Sequence, residues 1–77
     1  MASKGRRRGD KATRRNLEVL GFIEGYIVDN GWPPSVREIC ANFGWSGTNA
    51  AIEHLLALEY HELIRRGPGN RQIVVLE

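Results

Sequence analysis

Residues 31–55 read GWPPSVREICANFGWSGTNAAIEHL, and this stretch predicts two short helices joined by a tight turn. The proline pair at 33–34 ends any preceding helix, because proline lacks an amide hydrogen and restricts the residue before it. Ser35 followed by Glu38 is the pattern of a capping box, in which each side chain bonds the other residue's amide. A helix is therefore predicted to begin just after Ser35.

A third helix is predicted from Asn49 to about Tyr60. Gly44 ends the helix before it, and the segment 46–48 offers Ser and Thr side chains as caps. Three apolar residues at helical spacing mark the inner face: Ala51, Leu55 and Leu58. Two helices joined by a tight turn form the helix-turn-helix arrangement, whose second helix presents its outer side to solvent.

The sequence before position 31 predicts a first helix with one buried stripe. Thr13 is the best candidate for its N-cap, although Asn16 is not the Glu or Gln of a complete capping box. Gly21 and Gly25 either permit close packing of another element or simply weaken this helix, and we interpret them as points of close packing. The stripe consists of Val19, Leu20, Phe22, Ile23, Tyr26 and Ile27.

The C-terminal segment changes from helical to alternating periodicity. Residues 63–66 and 72–76 favour strands, and the turn-forming segment 67–71 separates them. A two-stranded hairpin is marginal alone, so it must pack on the helices. The prediction is an α+β fold, a three-helix winged helix-turn-helix with a C-terminal β-hairpin wing. Its domain spans residues 13–77, after a flexible basic arm over residues 1–12.

The charge of the chain is unevenly distributed. The first 15 residues contain seven basic residues and one acid, a net +6, whereas the remainder contains four basic and eight acidic residues, a net −4. A cationic arm on a neutral-to-acidic body is typical of proteins that bind polyanions. The alternative is an arm that only increases solubility.

Several classes of protein are excluded by length and composition. Seventy-seven residues form one small domain without room for an enzyme's deep pocket, so we expect no catalysis and no small-molecule substrate. The lone Cys40 allows no internal disulfide and is predicted to be a packed thiol. HELIR at 61–65 has Arg where a zinc protease needs a second histidine, so no metal or cofactor is expected. No apolar segment suits a signal peptide or membrane span, which predicts a cytoplasmic protein.

Two segments resemble the N-terminal DNA-binding domain of the LexA repressors, which control the bacterial SOS response. GWPPSVREI at 31–39 is similar to that family's G-x-P-P-T/S-x-x-E-I segment. GWSGTNAAIEHL at 44–55 is similar to its G-F-x-S-x-N-A-A-x-x-H-L recognition segment. The resemblance extends from about residue 13 to residue 76. It implies a bacterial or phage-encoded repressor at the nucleoid that binds a double-stranded DNA operator through the major groove.

The resemblance also implies which side chains contact base edges: Asn49, Ala50, Ile52 and Glu53. An Asn amide pairs with adenine, an Ala methyl group touches a thymine methyl group, and Glu accepts from cytosine. Ile52 departs from the polar residue usual in the family, so an exposed isoleucine indicates a changed base preference or a protein contact. The alternative is that Asn49 and Glu53 are ordinary polar surface residues.

Phosphate contacts must come from outside the third helix, because no Lys or Arg lies between Arg37 and Arg65. The arm and the wing are the available sources. The predicted contacts to the backbone or minor groove are Arg6, Arg7, Arg8, Arg14, Arg15, Ser46, Thr48, Arg65, Arg66 and Arg71. For the wing arginines the alternative is a solvated hairpin without a partner.

The family's C-terminal domain, which dimerises and cleaves itself with a Ser-Lys dyad, has no counterpart in these 77 residues. We therefore expect no self-cleavage, and weak binding to one half-site unless a homodimer or a protein partner adds a second module. The third alternative is that the chain is a fragment of a longer protein. A second hypothesis is a winged-helix module that binds a polymerase or another regulator through its acidic body and exposed Ile52 and Trp45.

Overall fold

A computed structural model describes residues 12–68 and 72–76 of the chain. The elements are α1 (Arg14–Asn30), α2 (Val36–Phe43), α3 (Asn49–Tyr60), β1 (Ile64–Arg66) and β2 (Ile73–Val75). The two strands pair antiparallel. The predicted α+β order of three helices and a C-terminal hairpin is confirmed. The predicted flexible arm, with Arg6, Arg7 and Arg8, and the turn residue Arg71 lie outside the described residues.

Capping boxes begin the first two helices. Ser35 and Glu38 exchange bonds of 2.9 and 3.2 Å, as predicted for α2. At α1, Thr13 Oγ1 accepts from the Asn16 amide at 3.1 Å, and Asn16 Oδ1 accepts from the Thr13 amide at 2.9 Å. The expectation that α1 lacks a complete box is therefore wrong, because the Asn carboxamide bonds back as Glu or Gln would.

Helix α3 begins without the side-chain cap that the segment 46–48 was expected to supply. Its N-cap residue, Thr48, already has a right-handed helical backbone and makes no side-chain capping bond. Gly31 and Gly44 end the first two helices in the left-handed conformation, as Gly does at this position. Glu62 adopts the same region after α3, with a φ of 62°.

The core lies where the three helices and the hairpin meet. Its buried members are Val19, Ile23, Ile39, Cys40, Ala51, Leu55, Leu58, Ile64 and Ile73. One buried isoleucine from each strand joins this cluster, so the hairpin packs on the helices as predicted. In the register of the hairpin Arg65 pairs with Val74, and both side chains are exposed.

Gly21 and Gly25 lie on the exposed side of α1. A Cβ atom built on either would meet no atom within 4 Å outside the helix's own nearby backbone. The interpretation of these glycines as points of close packing is therefore wrong. Within residues 12–68 and 72–76, no helix combines the length and apolar character that crossing a membrane requires.

Candidate nucleic-acid interface

All four predicted base-contacting residues lie on α3. Asn49 and Glu53 are exposed and lie one turn apart, so their side chains share a face. Ala50 lies beside them, partly buried. The opposite side of the helix is held by buried Ala51 and Leu55. The helix therefore presents a donor, an acceptor and a small apolar group together, which are the groups that contact base edges in a major groove.

Ile52 is only partly exposed, so the expectation of an exposed isoleucine is wrong. Its side chain reaches the wall of an open depression, which we name the α2–α3 hollow. The lining residues are Ser35, Val36, Arg37, Thr48, Ile52 and Arg66. Ile52 thus faces the start of α2 and the end of β1, neighbours that sequence spacing does not reveal.

Trp45 in the turn is held by two aromatic neighbours. Its ring stacks on Phe43 at 4.8 Å with a 15° angle and on His54 at 5.3 Å with an 18° angle. The side chain is partly buried, because helices α2 and α3 contribute a ring to each side of it. The protein-binding hypothesis took Trp45 and Ile52 as exposed apolar groups, and neither is one.

The turn is also fixed by Cys40, whose thiol donates a hydrogen bond to the Gly47 carbonyl oxygen at 3.2 Å. Cys40 is buried in the core, as predicted. Its bond reaches the residue just before the α3 N-cap. Together with the Trp45 stack, it fixes the segment that leads into the exposed face of α3.

His54 connects α3 to the first turn of α1. Its Nδ1 lies 2.8 Å from the carboxamide nitrogen of Asn16, which can only donate, so Nδ1 accepts and the ring is neutral. Burial lowers the pKa of His54, and the nearby Arg15 guanidinium lowers it further, against an opposing effect of Glu53. Sequence reasoning identified neither partner, since Asn16 and His54 are 38 residues apart.

The predicted phosphate-contacting residues lie on separate elements of the fold. Arg14 is exposed at the first position of α1. Arg15 pairs with Glu18 at 3.0 Å and lies 5.8 Å from the centre of the Phe43 ring. The turn residues Ser46 and Thr48 are exposed.

On the wing, Arg65 is exposed and Arg66 makes a long ion pair of 3.9 Å with Glu59. Arg66 also lines the α2–α3 hollow, where the structure adds Arg37, a cation that the sequence analysis did not select. An isolated basic residue early in α2 gave no signal, because the two arginines reach one hollow only when α2 and β1 both pack on α3.

Comparison with known proteins places the chain among DNA-binding domains. A family model described as the LexA DNA binding domain matches residues 10–72. A LexA repressor of Geobacter metallireducens is 45% identical over 67 residues, which cover 87% of this chain and 33% of the relative.

Two further relatives give the same result. A LexA repressor of Clostridium acetobutylicum is 46% identical over 68 residues, 87% of this chain and 33% of the relative. LexA repressor 1 of Pseudomonas syringae pv. tomato is 46% identical over 59 residues, 77% of this chain and 29% of the relative. The chain thus spans about a third of the length of the curated relatives it matches.

Proposed function

The chain belongs to the LexA DNA-binding domain family, and from this membership we propose that it is a sequence-specific DNA-binding transcriptional repressor. The observation that carries the proposal is the outer face of α3, where Asn49, Ala50 and Glu53 are presented together on a helix whose other side is buried. In this proposal α3 lies in the major groove and these side chains contact base edges.

Affinity comes from cations outside α3, because that helix has no Lys or Arg and contains Glu53 and Glu59. Exposed Arg14 and Arg65 are available for phosphate contacts, and Arg6 to Arg8 of the arm supply further charge for the backbone or minor groove. Base contact and charge neutralisation are thus assigned to different parts of the chain.

The proposed target is an operator in bacterial or phage DNA, and the proposed site of action is the cytoplasm at the nucleoid. One such domain covers one half-site, so strong binding needs a second DNA-binding module at a fixed spacing. We propose a second copy of the chain as that module. The relatives matched here are named repressors, which supports regulation of transcription over DNA binding for another purpose.

The direct test is selection of bound sites from random duplex DNA, followed by anisotropy titrations at ~50 and ~200 mM salt. We expect a defined half-site and an affinity that falls steeply with salt, because several phosphate contacts release counterions. A selected sequence with two-fold symmetry would support two bound copies. Recovery of no preferred sequence would contradict the proposal.

Base contact by α3 is tested with Asn49→Ala. The loss on the selected site should be about 1 to 3 kcal/mol, with little change on random DNA, because the amide contacts a base and not the backbone. Asn42→Ala is the matched control, since Asn42 is an exposed amide on α2. Equal losses on selected and random DNA for Asn49→Ala would exclude base recognition by this residue.

A further inference from the structure

The α2–α3 hollow gathers two cations from distant parts of the sequence. Arg37 comes from the first turn of α2, and Arg66 comes from the end of β1. The hollow has a volume of about 580 Å³. Against about 30 Å³ for one water molecule in the liquid, this open volume is large enough to admit a tetrahedral anion.

Both charged residues that line the hollow are cations, although two of its lining residues have acidic partners outside the lining: the Glu38 carboxylate accepts from the Ser35 amide at 2.9 Å, and Glu59 pairs with Arg66. Among the residues that the structure describes, none of the six lining it is acidic. Arg37 is exposed and forms no ion pair within the described part of the chain. Within the described residues the ion-pair partner of Arg66 is Glu59, at the long separation of 3.9 Å, so its guanidinium can turn to a closer anion at little cost.

Two hydroxyl groups complete the set of donors. Thr48 is exposed, and within the described residues its hydroxyl group takes part in no hydrogen bond, so it can donate to a ligand. Ser35 Oγ accepts from the Glu38 amide, a bond that does not use its own hydrogen. The lining therefore combines guanidinium and hydroxyl donors, the groups that contact phosphate oxygens in DNA complexes.

We propose that the α2–α3 hollow holds one backbone phosphate of bound DNA between Arg37 and Arg66. This inference rests on the proposed function, and it adds a contact that links α2, the start of α3 and the wing to one nucleotide. Because Thr48 directly precedes Asn49, a phosphate held here fixes the register of the base-contacting face. The bond to phosphate carries no sequence information of its own.

The test replaces single phosphates of the selected duplex, one position at a time, by neutral methylphosphonates. Affinities are measured for the unaltered protein and for Arg37→Gln, Arg66→Gln and Arg65→Gln. Arg65 is the matched control, because it neighbours Arg66 but does not line the hollow. Far-ultraviolet circular dichroism verifies folding, and Arg66→Lys, which keeps the charge but loses the guanidinium fork, is measured in parallel.

We expect one methylphosphonate position to weaken binding by the unaltered protein on the order of tenfold, the effect of losing a charge-assisted contact. Arg37→Gln and Arg66→Gln should each weaken binding to unmodified DNA, lower the salt slope by about 1, and become insensitive to substitution at that same position. Arg65→Gln should stay sensitive there. Arg66→Lys should give a smaller loss at that position.

The inference is overturned if the two hollow variants respond to different positions, or if neither loses sensitivity at any position. Either result leaves the proposed function intact, because the unaltered protein would still bind its selected site. Absence of salt-dependent binding by the unaltered protein would instead contradict the proposed function itself.

Discussion

Asn16 and His54 are joined by a hydrogen bond of 2.8 Å between the Asn carboxamide nitrogen and His Nδ1. Asn16 is only 5% exposed, and its oxygen accepts from the Thr13 amide at the same time. One carboxamide therefore both caps α1 and attaches α1 to α3. The bond exists only while the imidazole is neutral, because a protonated ring has no acceptor nitrogen.

Stability should depend on pH through His54. Because the folded state lowers its pKa, the unfolded state binds the proton more readily. The free energy of unfolding should be fully retained above about pH 6.5, the ordinary histidine pKa, and should fall as the pH drops through the lower folded pKa. Urea titrations at pH 7.5 and pH 5 measure the change.

Two substitutions separate His54 from the other titrating groups. His54→Gln should abolish most of the loss between these pH values. Asn16→Asp should reverse the sign of the His54 contribution to this pH dependence. A carboxylate against the imidazole ring favours the protonated form and raises the pKa of His54. An unchanged pH profile in both variants would show that His54 does not control this dependence.

Gly21→Ala and Gly25→Ala should each stabilise the protein by about 1 kcal/mol, since Ala is the better helix former and the added methyl group meets open space. The expected rise in the melting temperature is roughly 4 to 8 °C for each change in a domain of this size. Thermal unfolding followed by circular dichroism measures it.

Gly31→Ala is the contrasting control. Its surroundings are equally open, but its φ of 87° is unfavourable for any residue with a Cβ atom. This change should destabilise the protein by about 1 kcal/mol. Equal effects of Ala at positions 21 and 31 would mean that backbone conformation does not govern these sites.

Glu62→Gly should also stabilise the protein. The Leu63 amide bonds the Leu58 carbonyl at 2.9 Å and the Glu62 amide bonds that of Glu59 at 2.9 Å, which is a Schellman motif with Glu62 at the position usually occupied by Gly. Removing the left-handed strain should contribute about 1 kcal/mol. Glu62→Ala removes the same charge but keeps the strain. In chemical denaturation, its free energy of unfolding should therefore be lower than that of Glu62→Gly by that amount.

Glu18→Gln should have little effect on stability, less than about 1 kcal/mol, because the Arg15–Glu18 pair is half exposed on both sides. The freed Arg15 should strengthen binding to DNA if it contacts phosphate. Glu24→Gln removes an exposed acid from the same helix and controls for general charge. Equal gains in affinity for the two variants would remove Arg15 from the set of phosphate contacts.

Local signals predicted the ends of the helices well. The Ser35–Glu38 box and the stop at Gly44 depend on residues within one turn of each other, so the sequence alone indicates them. The box at α1 escaped prediction because Asn16 is an unusual third residue, and its role depends on side-chain geometry.

Features set by packing were not predictable in the same way. Ile52 occupies an outer position of α3 by helical spacing, but its exposure depends on where β1 and α2 lie. Gly21 is compatible with either close packing or open space until the neighbouring elements are placed. The base-contacting positions remain predictions, since they rest on resemblance and on the exposure of Asn49 and Glu53.

Side-chain contacts, three of them described above, link the three helices in a closed ring. Phe22 of α1 meets Phe43 of α2 at 5.9 Å, Phe43 stacks on Trp45, Trp45 stacks on His54 of α3, and His54 bonds Asn16 of α1. A closed ring of contacts resists rotation of α3 about any one of them. The conformational entropy of orienting α3 is therefore lost during folding and not again during association, so binding should resemble docking of a preorganised surface.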